Sequence, residues 1–341
     1  MGVTYKQIAE IVGVSRGTVD RALHNRGRVD PKVAKRIKEV AKELGFEPSR
    51  VGRALAMSKK PIKIGVVAHL TETTFMQEVL SGIYQAQREI QGIGGELLIQ
   101  KIPWADPQEQ IRVIDQMMEE GIQGLAISPV EDEALRQRLK KVIESGLPVV
   151  TFNTDMVGID RMCFVGLDNH RAGKTAAGLM NVLLGEQGGK ILIIMGFMSN
   201  ASQSQRVQGF VEEVALAAPN IEILGIQMSM DTEEKAQSIT LQTIENYPDV
   251  KGVFMVSGGQ EGVCRALKET GKNNVKLIVF DMLPETSEGL QEGVIDFIID
   301  QNALAQGRRP PRILFDYLFD QVNPALEYQF TDIIIKTKYN I

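Results

Sequence analysis

The sequence predicts an α/β protein in three parts: an N-terminal three-helix head of helix-turn-helix type, a hinge, and two doubly wound parallel-sheet lobes. Three observations carry that prediction. The charge is divided: residues 1–60 hold 14 Lys and Arg against 6 Asp and Glu, a net of +8, and the other 281 residues hold 24 against 37, a net of −13. The first stretch has apolar residues at helical spacing broken by turn residues, and the rest alternates short apolar runs with amphipathic helical ones. At roughly 150 residues per domain, 341 residues make about two domains, or three if one is small.

In the head, Thr4 followed three residues later by Gln7 is a capping-box pattern, and Ile8, Ile11 and Val12 form an apolar stripe that Gly13 ends. Ser15 is a suitable N-cap for a second helix, Arg16 to Leu23, which turns Val19, Ala22 and Leu23 inward. Asp30 caps a third helix with Pro31 at its first position, running through Val33, Ile37, Val40, Ala41 and Leu44 to Gly45. The second helix offers Ser15, Arg16, Gly17, Thr18 and Arg21. Arginine suits a guanine edge or a phosphate, Ser and Thr suit phosphate oxygens, and Gly permits close approach. Asp20 is discordant unless it pairs with Arg16 or accepts from a cytosine amino group.

Residues 49–61 are short, basic and glycine-containing. They read either as a linker or as a segment that becomes helical on a partner, with Leu55 as an apolar wedge for a DNA step. Beyond them, strands are expected at Ile62–His69, Glu96–Ile102, Gly124–Ser128, Pro148–Asn153, Lys190–Met195, Val253–Val256, Lys276–Phe280 and Ile295–Ile299. Helical patterns such as Phe75–Gln91, His170–Leu184 and Gln205–Ala217 intervene, which means βαβ units. Ligands of such sheets bind outside the carboxyl ends of strands. The polar and aromatic residues there, Phe75, Ser128, Asn153, Asp155, Arg206, Ser257, Asp281 and Gln301, therefore form the candidate ligand set. Planar carboxylate, amide and guanidinium groups bond paired hydroxyls and a ring stacks on a sugar face, so the set suits a small polyol.

Val3–Ala9, Gly13-Val14-Ser15, Thr18–Leu23 and Pro48–Ala56 together resemble the lac-repressor (LacI/GalR) family of bacterial transcription regulators. Departures are Asp20, where the family usually has Ser, His24 and Ser49, where it has Asn, and Gly52 in place of Ala. The resemblance implies a sequence-specific DNA-binding regulator, a repressor of carbohydrate-utilisation genes, that works as a homodimer on a pseudo-palindromic double-stranded operator. Its DNA contacts would come from Thr4, Tyr5, Ser15, Arg16, Gly17, Thr18, Arg21, His24, Arg28, Arg50 and Leu55. The body, through Val165–Asn169, Lys276–Asp281, Asp300-Gln301 and Gln306-Gly307, is similar to periplasmic binding proteins of the ribose and inositol type. By that likeness Phe75 stacks on the ligand and Arg206, Asp281 and Gln301 hold its hydroxyls. Asn153, Thr154 and Ser257 depart from the pentose pattern and point to another sugar or a cyclitol, with a sugar phosphate acting as corepressor as the alternative. The implied domains are 1–48, 49–61 and 62–341, with one lobe at 62–160 and 293–320 and the other at 161–292 and 321–341.

Other classes lack support. Two cysteines without metal spacing, three unaccompanied histidines and no GxxxxGK[ST] or HExxH leave no expected cofactor, metal or enzymatic activity. No apolar run reaches about 18 residues and the N-terminus has no signal-like h-region, so a cytoplasmic protein with no membrane partner is expected.

Overall fold

The computed structural model describes residues 3–23, 29–44, 46, 61–70 and 72–341. The chain divides into two compact units, residues 1–61 and 62–341. In the first, α1 (Tyr5–Val12), α2 (Arg16–Leu23) and α3 (Pro31–Glu43) enclose a small core in which Ile8, Val19 and Ile37 are fully buried. The predicted capping works as expected: Thr4 and Gln7 exchange hydrogen bonds, Gly13 adopts the left-handed conformation (φ 74°), and Asp30 accepts from the backbone of Lys32 and Val33. Thr4 and Asp30 satisfy amide N–H groups that a helix start leaves unpaired, and the Gly13 N–H satisfies the Ala9 carbonyl at a helix end. The hinge segment expected at 49–61 lies outside the described residues apart from Pro61.

The second unit contains two six-stranded sheets. The first is built from β1 (Ile62–Ala68), β2 (Gly95–Lys101), β3 (Gly124–Ile127), β4 (Val149–Phe152), β5 (Cys163–Gly166) and β11 (Tyr328–Phe330), in the order β11-β5-β4-β3-β1-β2, all parallel. The second holds β6 (Gly189–Met195), β7 (Ile221–Met228), β8 (Val250–Met255), β9 (Lys276–Phe280), β10 (Phe297–Asp300) and β12 (Ile334–Lys336). Their order is β12-β10-β9-β8-β6-β7, parallel except for β12 against β10. The helices are α4 (Thr74–Gln91), α5 (Pro107–Glu119), α6 (Glu133–Glu144), α7 (Asn169–Leu184), α8 (Ala201–Ala217), α9 (Glu233–Asn246), α10 (Gln260–Glu269), α11 (Pro284–Gln291) and α12 (Ala303–Asp320). Strands β3, β4 and β5 are buried at every residue, as parallel strands covered on both faces must be.

The chain crosses between lobes three times, at Leu167–Asp168, Gln301–Asn302 and Thr331–Ile333, which corrects the expected lobe boundaries. Strand β5 belongs to the first lobe, because its buried run is flanked by β4 and β11. Strand β10 belongs to the second, where Ile298 and Ile299 pair alongside β9, and β11 returns to the first.

In both lobes helices meet through glycine. A Cβ at Gly82 or Gly307 would strike the carbonyl of Leu304 or Val79 across the α4–α12 crossing. Across α7–α8, Gly173 and Gly209 face the carbonyls of Arg206 and His170 in the same way. Gly307→Ala is therefore expected to destabilise the body by about 1–3 kcal/mol, even though alanine is intrinsically the better helix former by about 1 kcal/mol. Thermal denaturation checks this; a variant melting above the parent would show that the helices separate freely.

Candidate functional site

On the head, α2 presents Arg16 and Gly17 in its first turn and Arg21 in its last to solvent. The Ser15 hydroxyl accepts from the Thr18 amide at 3.1 Å and lies 2.9 Å from the Thr18 hydroxyl, to which Arg21 reaches at 3.5 Å. Gly17 has nothing nearer its missing Cβ than the Ser15 hydroxyl at 3.9 Å, so backbone is open to close approach there. The Thr4 hydroxyl is occupied in the capping box, and the Tyr5 ring packs edge-on against Phe46 at 5.0 Å. His24, Arg28, Arg50 and Leu55 lie outside the described residues.

In the body, the ends of strands from both lobes open into a cleft of about 410 Å³. Phe75, Asn153, Arg206, Ser257, Asp281 and Gln301, six of the eight residues expected there, line it. The geometry is set by a repeated backbone device. Asn153 follows β4 at φ 61° and Asp281 follows β9 at φ 69°. In both cases the residue's amide donates at 3.0 Å to a carbonyl of the neighbouring strand, that of Val165 or Ile299. Short polar side chains tolerate the left-handed region, so the strand stops and the functional group turns toward the gap.

Arg206 is the centre of the polar network. Its Nε donates to Asn169 Oδ1 at 2.8 Å, one terminal nitrogen to the Val256 carbonyl at 3.0 Å, and the other to Gln301 Oε1 at 2.8 Å. The guanidinium lies over the Phe280 ring, 3.9 Å from its centroid. Gln301 passes the connection on, donating to Asp281 Oδ1 at 2.5 Å. Gln306 donates to the Gln301 carbonyl at 3.1 Å and accepts from Asn153 at 3.4 Å, joining the two lobes through one crossing. Burial lowers the Arg206 guanidinium to about 10, against the pull of Asp281 and Asp231. Burial likewise pushes the Asp281 carboxyl up, while Arg206 and Gln301 hold it down. Three of the five N–H groups of Arg206 are engaged within the protein, which leaves two for a ligand.

Two expected residues stand outside the cleft. Asp155 is held by Nε and one terminal nitrogen of Arg161 at 2.6 Å each, by the Thr151 hydroxyl and by the Met156 amide, so its carboxylate organises the loop after β4. Ser128 is fully buried, and its carbonyl accepts from His69 and Gln110 at 2.8 Å each.

The cleft also contains residues the strand-end reading did not select, notably His69, Gln203, Asp231, Glu233 and Glu285. Asp231 follows β7, an edge strand with Gly225 in its middle that the sequence pattern does not announce. Gln203 accepts from the amides of Gly196 and Phe197 at 2.8 and 2.9 Å, which aims its amide nitrogen at both Asp231 carboxylate oxygens at 3.4 Å. His69 directly follows β1. Its Nδ1 must be the protonated nitrogen, since the Ser128 carbonyl can only accept.

Burial lowers the pKa of His69 below its ordinary 6.5, with the Ser128 bond acting in the opposite sense. Once the pH drops below about 6.5, the unfolded chain gains a proton that the folded chain resists, so stability present at neutral pH is lost on acidification. The loss reaches up to about 1.4 kcal/mol per pH unit down to the folded value. His69→Asn, whose amide can keep the bond to Ser128, should lose less stability than the parent between about pH 7 and about pH 5.5. Identical losses in urea titrations would remove His69 from the account.

Comparison with known proteins agrees with this architecture. The periplasmic binding protein domain family matches residues 64–321, and the family of bacterial regulatory proteins of the lacI type matches residues 4–49. The ribose import binding protein RbsB of Escherichia coli (strain K12) is 25% identical over 249 residues, covering 73% of this chain and 81% of that protein. The HTH-type transcriptional regulator CelR of Thermobifida fusca is 24% identical over 262 residues, 74% of this chain and 73% of the relative. Among solved structures, AraP, an arabinose binding protein from Geobacillus stearothermophilus, superposes with a TM-score of 0.71 at 26% identity, covering 82% of this chain and 98% of that one. With the first of those family matches over most of its length, the chain belongs to the periplasmic binding protein domain family, and its residues 4–49 form a DNA-binding domain of the bacterial lacI regulatory type.

Proposed function

We propose that this regulator represses carbohydrate-utilisation genes and that a small sugar or cyclitol, held between its lobes, controls its grip on DNA. The observation that carries the reading is the cluster of Arg206, Asp281 and Gln301 beside Phe75 in a cleft shared by both lobes. The two uncommitted N–H groups of Arg206 and the Asp281 carboxylate suit a pair of adjacent hydroxyls, and a flat ring suits the C–H face of a sugar.

A ligand bonded to both lobes favours their approach, because it binds the closed arrangement better than the open one. The protein works in the cytoplasm, as a homodimer whose two heads meet the half-sites of a pseudo-palindrome. Lobe closure is read out as a change in the affinity of the heads for the operator.

A thermal-shift screen of the full chain against pentoses, hexoses and cyclitols tests the proposal. Ligands confined to the folded state raise its melting point, by about 2.7 kcal/mol of added stability at a hundredfold excess over Kd. A binding sugar is then expected to change operator affinity by about 5- to 150-fold. A panel without a single shift, or a binder that leaves operator affinity unchanged, would overturn the reading.

A further inference from the structure

The cleft carries a charge pattern that narrows its ligand further. Five carboxylates line it, on Glu72, Asp231, Glu233, Asp281 and Glu285, against the single guanidinium of Arg206. Three of the five N–H groups of that guanidinium are committed to Asn169, Val256 and Gln301, and its charge is already answered by Asp281, which raises its proton affinity. No lysine is among the described lining residues.

The other common anion receptor, the amide end of a helix, is also taken. The Thr73 hydroxyl fills the start of α4 by accepting from the Met76 amide, and Asn200 fills the start of α8 by accepting from Gln203. The Glu233 carboxylate accepts from the Gly262 amide at the start of α10, and Glu285 sits in the first turn of α11. The starts of α4, α8 and α10 are therefore answered by an oxygen of the protein, and that of α11 carries a carboxylate in its first turn. One buried group remains open. The Ser257 hydroxyl, on a residue only 6% exposed that lines the cleft, has no hydrogen-bond partner among the described residues. A neutral hydroxyl left in this way calls for a ligand hydroxyl, which can both give and accept.

The geometry points to a cleft built to exclude anions: its ligand is an uncharged polyol, and Glu72, Asp231 and Glu285 reject the phosphorylated or carboxylated form of the same sugar. The inference rests on the sugar-binding reading above and deepens it by naming what the site refuses. It also disfavours the sugar-phosphate alternative raised by the sequence.

Calorimetric titration of the full chain with matched pairs tests this: D-ribose and D-ribose 5-phosphate, D-glucose with D-glucose 6-phosphate and D-glucuronate, and myo-inositol with its monophosphate. The anion of the pair that binds is expected to be at least about tenfold weaker than its parent. Raising sodium chloride from about 50 mM to about 0.5 M should narrow that gap, because salt screens repulsion. In the double variant Asp231→Asn, Glu285→Gln, the preference for the neutral partner should shrink by about tenfold. An anion that binds as well as its parent, or whose affinity falls with salt, overturns the inference and leaves the sugar reading standing. If neither series binds, the sugar reading fails first and takes this one with it. The salt series uses the unaltered protein, so it decides the matter even if the double variant does not fold.

Discussion

Raising salt from about 50 to about 200 mM is expected to weaken operator binding by about 10³- to 10⁵-fold. The head's net charge of +8 sits on a body of −13, so the positive potential is concentrated where α2 presents Arg16 and Arg21. A module of this kind binds by displacing counterions condensed on the duplex, and six to ten phosphate contacts make log affinity fall with log salt at a slope of about −5 to −9. The acidic body flattens this slope at low salt, since its repulsion from the same polyanion is strongest where screening is weakest. Fluorescence anisotropy with an operator duplex measures the slope directly. A slope shallower than about −2 would mean that phosphate contacts contribute little, and the head would not be the DNA reader.

Arg206→Ala is the second large effect. The substitution leaves Asn169 Oδ1, the Val256 carbonyl and Gln301 Oε1 without their donor in a buried site, and leaves Asp281 without its nearest cation. Unpaired buried acceptors cost about 1–3 kcal/mol each, and removing one partner from a buried charged network costs about 3–5 kcal/mol overall. The body should lose stability of that order in urea titrations and should no longer bind its sugar. Arg206→Lys should recover only a minor part, because an ammonium group cannot present three planar donors to acceptors fixed in different directions. Full recovery by lysine would show that charge alone, not the fork, holds the network. Operator binding in the absence of ligand should persist wherever the variant still folds.

Much of this was legible before any coordinates, for identifiable reasons. The head announces itself through local chemistry: the Thr4 and Gln7 pair, Gly13 and the Asp30-Pro31 start each act within a few residues, where sequence spacing equals spatial spacing. Arg206, Asp281 and Gln301 were reachable by the strand-end rule, because β-runs such as Lys276–Phe280 are buried on both faces and stand out. Asp155 was misjudged because its partner, Arg161, arrives from beyond a turn that composition does not reveal. The lobe boundaries slipped because β11 and β12 are three residues long, half-exposed edge strands without a strong pattern, and because sheet membership is decided by neighbours far away in sequence. Asp231 was missed for the related reason that β7 alternates irregularly around a glycine.

The backbone-to-backbone seating of α7 on α8 bears directly on mechanics. The carbonyl that Gly173 accommodates is that of Arg206 itself, so the residue at the centre of the cleft's polar network is bolted to the neighbouring helix with no compressible side chain in between. The α4–α12 seam gives the opposite lobe the same stiffness, directly behind Phe75. Two plates reinforced in this way bend little internally, and any displacement started at Arg206 has to be relieved at the three thin connections between them. A pull on that one guanidinium is thus passed to the helix pair as a whole instead of being absorbed by yielding side chains.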